Sequence, residues 1–160
     1  MATMLSLLLT CLVWSSTVLA QASTVKIFGD VPKPLTLTAS DVASMPRTKI
    51  TASAHNQTGT YEGVTMRELL TRAGVPAGDA LRGAELAKTV LVTGADGYRV
   101  SFALVEFDSG FTDRVAILAD RKDGMLLGGD AAPFQVILAD EKRPARWVRQ
   151  VVSIEVQAPR

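Results

Sequence analysis

Charge is missing from the first 20 residues: MATMLSLLLTCLVWSSTVLA contains no Asp, Glu, Lys, Arg or His. An apolar run of this kind, with Val18-x-Ala20 just ahead of Gln21, has the pattern of a secretory signal peptide. Ala20-x-Ala22 offers a second register, so cleavage is expected after residue 20 or 22. The alternative is a retained N-terminal anchor helix, which needs about 20 apolar residues. Cysteine is missing from everything beyond this leader, because the one thiol of the chain is Cys11. A mature chain of residues 21–160 therefore excludes disulfides, thiolate nucleophiles and cysteine-ligated metals. Histidine is nearly missing too. His55 is the single imidazole, and zinc sites want three or four nitrogen or sulfur ligands, so no metal ligands are expected. A hydrolase with His55 as base lacks a G-x-S-x-G elbow, and no calcium loop with a closing Glu occurs.

An excess of either charge is also absent. Lys and Arg number 17 against 16 Asp and Glu, with a pI near 7.9, which argues against a nucleic-acid partner. After the leader no apolar run reaches spanning length, so no membrane span is expected in the mature chain. There is no internal repeat or low-complexity tract. The expectation is one exported domain over residues 21–160, periplasmic or secreted. It is large enough to bury about two-thirds of its unfolded surface without covalent staples.

What is present reads as short strands with helices inserted. Val25–Phe28 alternates and ends at Gly29-Asp30, and Pro32 and Pro34 keep the next stretch extended. Thr38–Met45 predicts a turn or two of helix, capped by Thr38-x-x-Asp41 or Ser40 and ended by Pro46. Lys49–Ala54 predicts a strand. The best-specified helix runs over Thr65–Ala73: Thr65 and Glu68 form a capping box, and Val64 and Leu69 a hydrophobic staple. Met66, Leu69, Leu70 and Ala73 make its apolar face, and Gly74 supplies a left-handed stop. Thr89–Thr93 and Tyr98–Phe102 flank Gly94-Ala95-Asp96-Gly97, a hairpin signal. Ser101 is expected to cap a turn through Glu106. Val115–Ala119, Phe134–Leu138 and Val148–Val156 supply three more strands, with a turn at Lys122–Met125. Together they give an α+β class with a mostly antiparallel or mixed sheet.

The carboxylates are scattered through turns, where Asp is favoured for backbone reasons, and no acid–base pair stands out. One basic cluster remains, Lys142-Arg143-Pro144-Ala145-Arg146-Trp147-Val148-Arg149. If residues 147–156 are strand, Arg149 faces away from Val148, and Arg143 and Arg146 lie in the preceding loop. Guanidinium groups beside an indole suit a phosphate or carboxylate. The competing reading is that they form ion pairs with Asp140 and Glu141.

The order of several segments resembles the sulfite-oxidase-type molybdopterin-binding domain, in small exported form. The segments are Tyr61-Glu62-Gly63-Val64 leading into Leu69-Leu70-x-x-Ala73-Gly74-Val75, then Ala95-Asp96-Gly97-Tyr98 with Ser101. Ile117-Leu118-Ala119 and Arg146-Trp147-Val148 before Ile154-x-Val156 complete the set, which spans residues 25–156. The resemblance implies the sulfite-oxidase-type fold and an oxidoreductase carrying molybdenum on a pterin, with a protein thiolate ahead of Tyr61. Here Ile50–Thr60 has no cysteine, and neither Ser53 nor His55 is an equivalent donor. The segment before the next-to-last strand is also changed, to Asp130-Ala131-Ala132-Pro133. What the resemblance then implies is an oxidoreductase-like protein that binds a molybdopterin cofactor, or another anionic small molecule, through His55, Arg143 and Arg146. The alternative is a catalytically inactive, cofactor-free module with a protein partner on the same scaffold.

Overall fold

The computed structural model describes residues 23–159, so the expected leader lies outside the described residues. Within them, ten strands sort into two sheets. The first sheet has the order β2-β1-β10-β5-β6, with β1 (Thr24–Gly29), β2 (Leu35–Thr38), β5 (Thr89–Gly94), β6 (Arg99–Ala103) and β10 (Val151–Gln157). Its first and last strands in sequence, β1 and β10, pair in parallel, with Ile27 opposite Ile154; its other pairings are antiparallel. The second sheet is antiparallel: β3 (Thr48–Ala54), β4 (Gln57–Thr65) and β7 (Ala116–Lys122) in order. The far side of β7 is shared. β8 (Met125–Leu126) pairs with Arg121–Lys122 and β9 (Gln135–Leu138) with Ala116–Ala119.

Burial explains which strands sit centrally. β5 alternates, with Val90 and Val92 inward, as a strand covered on one face does. β7 is buried at five successive positions, Ala116–Asp120, the mark of a strand covered on both faces. Helix α2 (Met66–Arg72) packs on β4 and β7 and buries Met66, Leu69 and Leu70. Gly63 permits the close approach of β4 to β7, because a Cβ there would lie 2.1 Å from the Leu118 carbonyl oxygen. The register shifts between Glu62 and Gly63, which leaves Asp120 as the extra residue of β7. Its buried carboxylate is held by Arg47, which also bonds Glu62 at 3.1 Å.

The helices form as predicted, with local differences. α1 (Ala39–Ala43) carries the full capping box: Thr38 Oγ1 accepts from the Asp41 N–H at 3.2 Å, and Asp41 Oδ2 accepts from the Thr38 N–H at 2.8 Å. In α2 only half the predicted box closes. Thr65 caps the Glu68 N–H at 3.1 Å, but Glu68 turns to Arg72 at 2.6 Å. Both N-cap threonines end a paired strand, so the difference lies in Glu68, which has a guanidinium partner one turn on. Ser101 stays inside β6. The turn Leu104–Phe107 is capped instead by Glu106, whose Oε1 accepts from the Ala103 N–H at 3.0 Å. Trp147–Gln150 is not strand. β10 starts at Val151 because Gln150 takes a positive φ of 48° to turn the chain into the first sheet.

Candidate functional site

The segment between β9 and β10 carries the chain from one sheet to the other and positions the basic cluster. Pro144–Arg146 forms a single 3₁₀ turn, and Trp147-Val148 then runs beside β9. The Val148 carbonyl accepts from the Val136 N–H at 2.9 Å, and the Val151 N–H donates to the Phe134 carbonyl at 3.0 Å. Trp147 is buried and meets Tyr61 of β4 edge-on, with ring centres 5.6 Å apart. Its indole nitrogen is buried with no hydrogen-bond partner. Tyr98, after the Asp96-Gly97 turn, ties its hydroxyl to the Ala145 carbonyl at 2.8 Å.

Arg146 is committed to this framework. Its guanidinium carbon lies 4.9 Å from the centre of the Phe102 ring. It bonds Glu141 at 2.7–2.8 Å and Glu106 at 3.3 Å. Burial pulls the Arg146 pKa down, but bonding to Glu141 and the nearby Glu106 charge outweigh it, and the net direction is up. Arg114 shares Glu106 and reaches Asp140 at 3.0 Å. The ion-pair reading of the cluster thus describes Arg146, with Glu141 as its partner, while Asp140 goes to Arg114. Arg149 pairs with Asp130 from an irregular stretch and not from a strand. Arg143 is exposed at the start of the 3₁₀ turn and makes no ion pair among the described residues.

His55 sits elsewhere. With Asn56 it forms a two-residue turn between β3 and β4, both at positive φ (50° and 65°), the type I′ pattern. The pairing of β4 with β7 begins only at Tyr61, so this hairpin overhangs the sheet. Tyr61 is level with Ile50, and at about 3.3 Å per residue His55 stands about 16 Å along the strand from that level. No hydrogen bond or ion pair joins His55 to Arg143 or Arg146 among the described residues.

The structure draws attention to residues that the sequence reading of the site passed over. Tyr61 and Lys122 are cross-strand partners, and the Lys122 ammonium lies 5.5 Å from the Tyr61 ring centre. They open a groove of about 340 Å³, continued by Leu127, Gly128 and Gln135. Met125 and Leu126 stand on its lip, 72% and 68% exposed. No local sequence signal links Tyr61 with Lys122; only the strand register makes them neighbours.

No family model and no curated protein matches the sequence. The structure does match a solved one, the sulfane dehydrogenase SoxCD from Paracoccus pantotrophus, with a TM-score of 0.67 and 21% identity. The match covers 84% of this chain and 38% of that chain, so this chain spans well under half the length of its neighbour. The fold is sulfite-oxidase-like. It is a scaffold shared with an oxidoreductase; the mostly antiparallel strands with short helices are as expected, and their division into two sheets is what the structure adds.

A sulfite-oxidase-like fold implies molybdopterin, and the residues present fit that group only in part. A protein-bound molybdenum does not fit. The β3–β4 hairpin, where the resemblance places the thiolate, has no cysteine, and the described residues contain no group of three metal-ligating side chains. The organic portion fits better. The groove falls within the usual 300–1,000 Å³ of a small-molecule site, with an aromatic wall and a cation beside it.

Proposed function

We propose that this chain is an exported, oxidoreductase-like binding protein that takes a molybdopterin-type ligand, or another anionic heterocycle, without a protein–metal bond. The observation that carries this reading is the Tyr61–Lys122 groove. The Lys122 ammonium at this aromatic wall can meet the negative charge of a planar ligand, and the Asp123 carboxylate of the same lining is engaged by the Thr60 N–H. Arg143, like Lys142, is exposed and makes no ion pair among the described residues, and its planar fork suits a phosphate; Arg146 acts by holding the turn in place. His55, on its overhanging hairpin, would enter only as a contact from across the ligand. No redox step is assigned to these residues.

A second reading has its own observation. Arg146, Arg149 and Arg114 all spend their charge on neighbouring carboxylates, while Met125 and Leu126 stay exposed. That balance favours a cofactor-free module that meets a protein partner. Anaerobic calorimetry with isolated molybdopterin separates the two. Binding should be measurable, and Lys122→Gln or Arg143→Ala should each weaken it by about one to two orders of magnitude, the usual worth of a hydrogen bond to a charged group. Absence of binding to the unaltered protein, together with no molybdenum or pterin absorption in protein purified from its natural source, establishes the cofactor-free module instead.

A further inference from the structure

A second, smaller cavity lies away from the groove, at the end of the second sheet where Thr65 pairs with Ile117. Its volume is about 170 Å³, and its walls are Phe107, Val115 and Ala116. Val115 keeps 38% of its surface exposed there, an apolar wall with nothing packed on it. Arg67, from the first turn of α2, and Arg114, from the loop before β7, stand at the rim with Ser109.

The two guanidinium groups are in different states. Arg114 is anchored by Glu106 and Asp140, so its charge is locally compensated. Arg67 is not. Its hydrogen bond goes to the neutral Ser109 hydroxyl, and its nearest carboxylate, Asp108, is 3.9 Å away, beyond hydrogen-bonding reach. Asp108 is meanwhile occupied, since its two oxygens accept the Gly78 and Gly110 N–H groups at 2.8 Å each. A guanidinium has five donors, so most of those on Arg67 have no protein acceptor. One cation with spare donors beside an apolar hollow calls for a ligand of one negative charge and a short apolar body. A dianionic phosphate would face Asp108, Glu106 and Asp140 with only the loosely paired Arg67 to meet it. At about 170 Å³ the cavity is smaller than the usual 300–1,000 Å³ of a small-molecule site, which favours a short ligand.

We propose that this cavity is a binding site for a short aliphatic carboxylate, its carboxylate on Arg67 in place of Ser109 and its alkyl chain against Phe107, Val115 and Ala116. The inference is independent of the pterin reading, which concerns a different cavity. Butyrate is the probe. In a two-dimensional NMR titration of the protein, the amide signals of Arg67, Ser109 and Val115 should shift and saturate, with a Kd on the order of 1–10 mM for so small a ligand. Inorganic phosphate at matched ionic strength should leave them in place. Arg67→Gln should weaken butyrate binding at least tenfold. Should that variant fail to fold, Arg67→Lys, which keeps the charge and loses the fork, should still weaken it several-fold. Shifts that do not saturate at about ten times the expected Kd, or binding unchanged by either substitution, or equal binding of phosphate, would overturn the proposal.

Discussion

Asp108 is a carboxylate only 3% exposed, and what stabilises it is backbone. Burial alone would raise its pKa above the ordinary 3.8, but the Gly78 and Gly110 N–H groups, with the Arg67 charge behind them, bring it below that value. The two bonds tie the loop at Gly78 to the loop after Phe107, so one side chain sets two connections. A depressed folded pKa means that Asp108 stabilises the fold fully above pH 3.8 and that this contribution is lost as pH falls through its lowered value. Asp108→Ala should therefore cost about 1–3 kcal/mol at neutral pH by urea denaturation, the cost of leaving buried donors unpaired. The gap between the variant and the unaltered protein should narrow in strong acid. A gap that widens on acidification would contradict the assignment. Arg146 illustrates the opposite case at the same scale: its sequence neighbourhood reads as ligand-binding, yet Glu106, 40 residues away, takes part of its charge.

Helix α2 carries its own specification. Its N-cap, its staple and its apolar face are all local, within Val64–Gly74, and Val64, Met66, Leu69 and Ala73 are fully buried. Leu69→Ala should destabilise by about 2–5 kcal/mol, through lost burial and the cavity left behind. Thr65→Ala should cost about 1 kcal/mol through loss of the cap. Thermal or urea unfolding of the two variants checks both, and a Leu69 effect no larger than the Thr65 effect would show that the helix face is not core. The Glu68 half of the capping box failed because Glu68 is taken by Arg72 one turn on, whereas Asp41 and Glu106 turn back to the backbone N–H at the strand end.

At the scale of the molecule, the parallel pairing of β1 with β10 sets the first and last strands of the described chain side by side and pointing the same way, so Thr24 and Gln157 lie at opposite ends of that pair. A segment attached ahead of Thr24 therefore leaves from the end of the pair where β10 begins at Val151, away from Gln157. Export with cleavage predicts a mature protein beginning at Gln21 or Ser23, read by mass spectrometry of the exported fraction. Recovery of the intact chain from Met1 in membranes would establish the anchor.

The sequence by itself determined what depends on neighbours along the chain. The helix stop at Gly74, with φ of +84°, the Asp96-Gly97 hairpin and the Asp123-Gly124 turn each follow from a few adjacent residues whose backbone preferences agree. The order of those elements was enough to point to the sulfite-oxidase-like fold. Missing residues spoke as clearly: with no cysteine between Ile50 and Thr60, the thiolate that the resemblance implies has no counterpart in that segment. The tertiary structure decided which charges are spent and which residues meet. It placed Lys122 over Tyr61 through strand register, gave Arg146 to Glu106 and Glu141, and carried His55 out on a hairpin tip. Such pairings join residues tens of positions apart. Their energies come from burial and close contact, and those exist only once the sheets have packed.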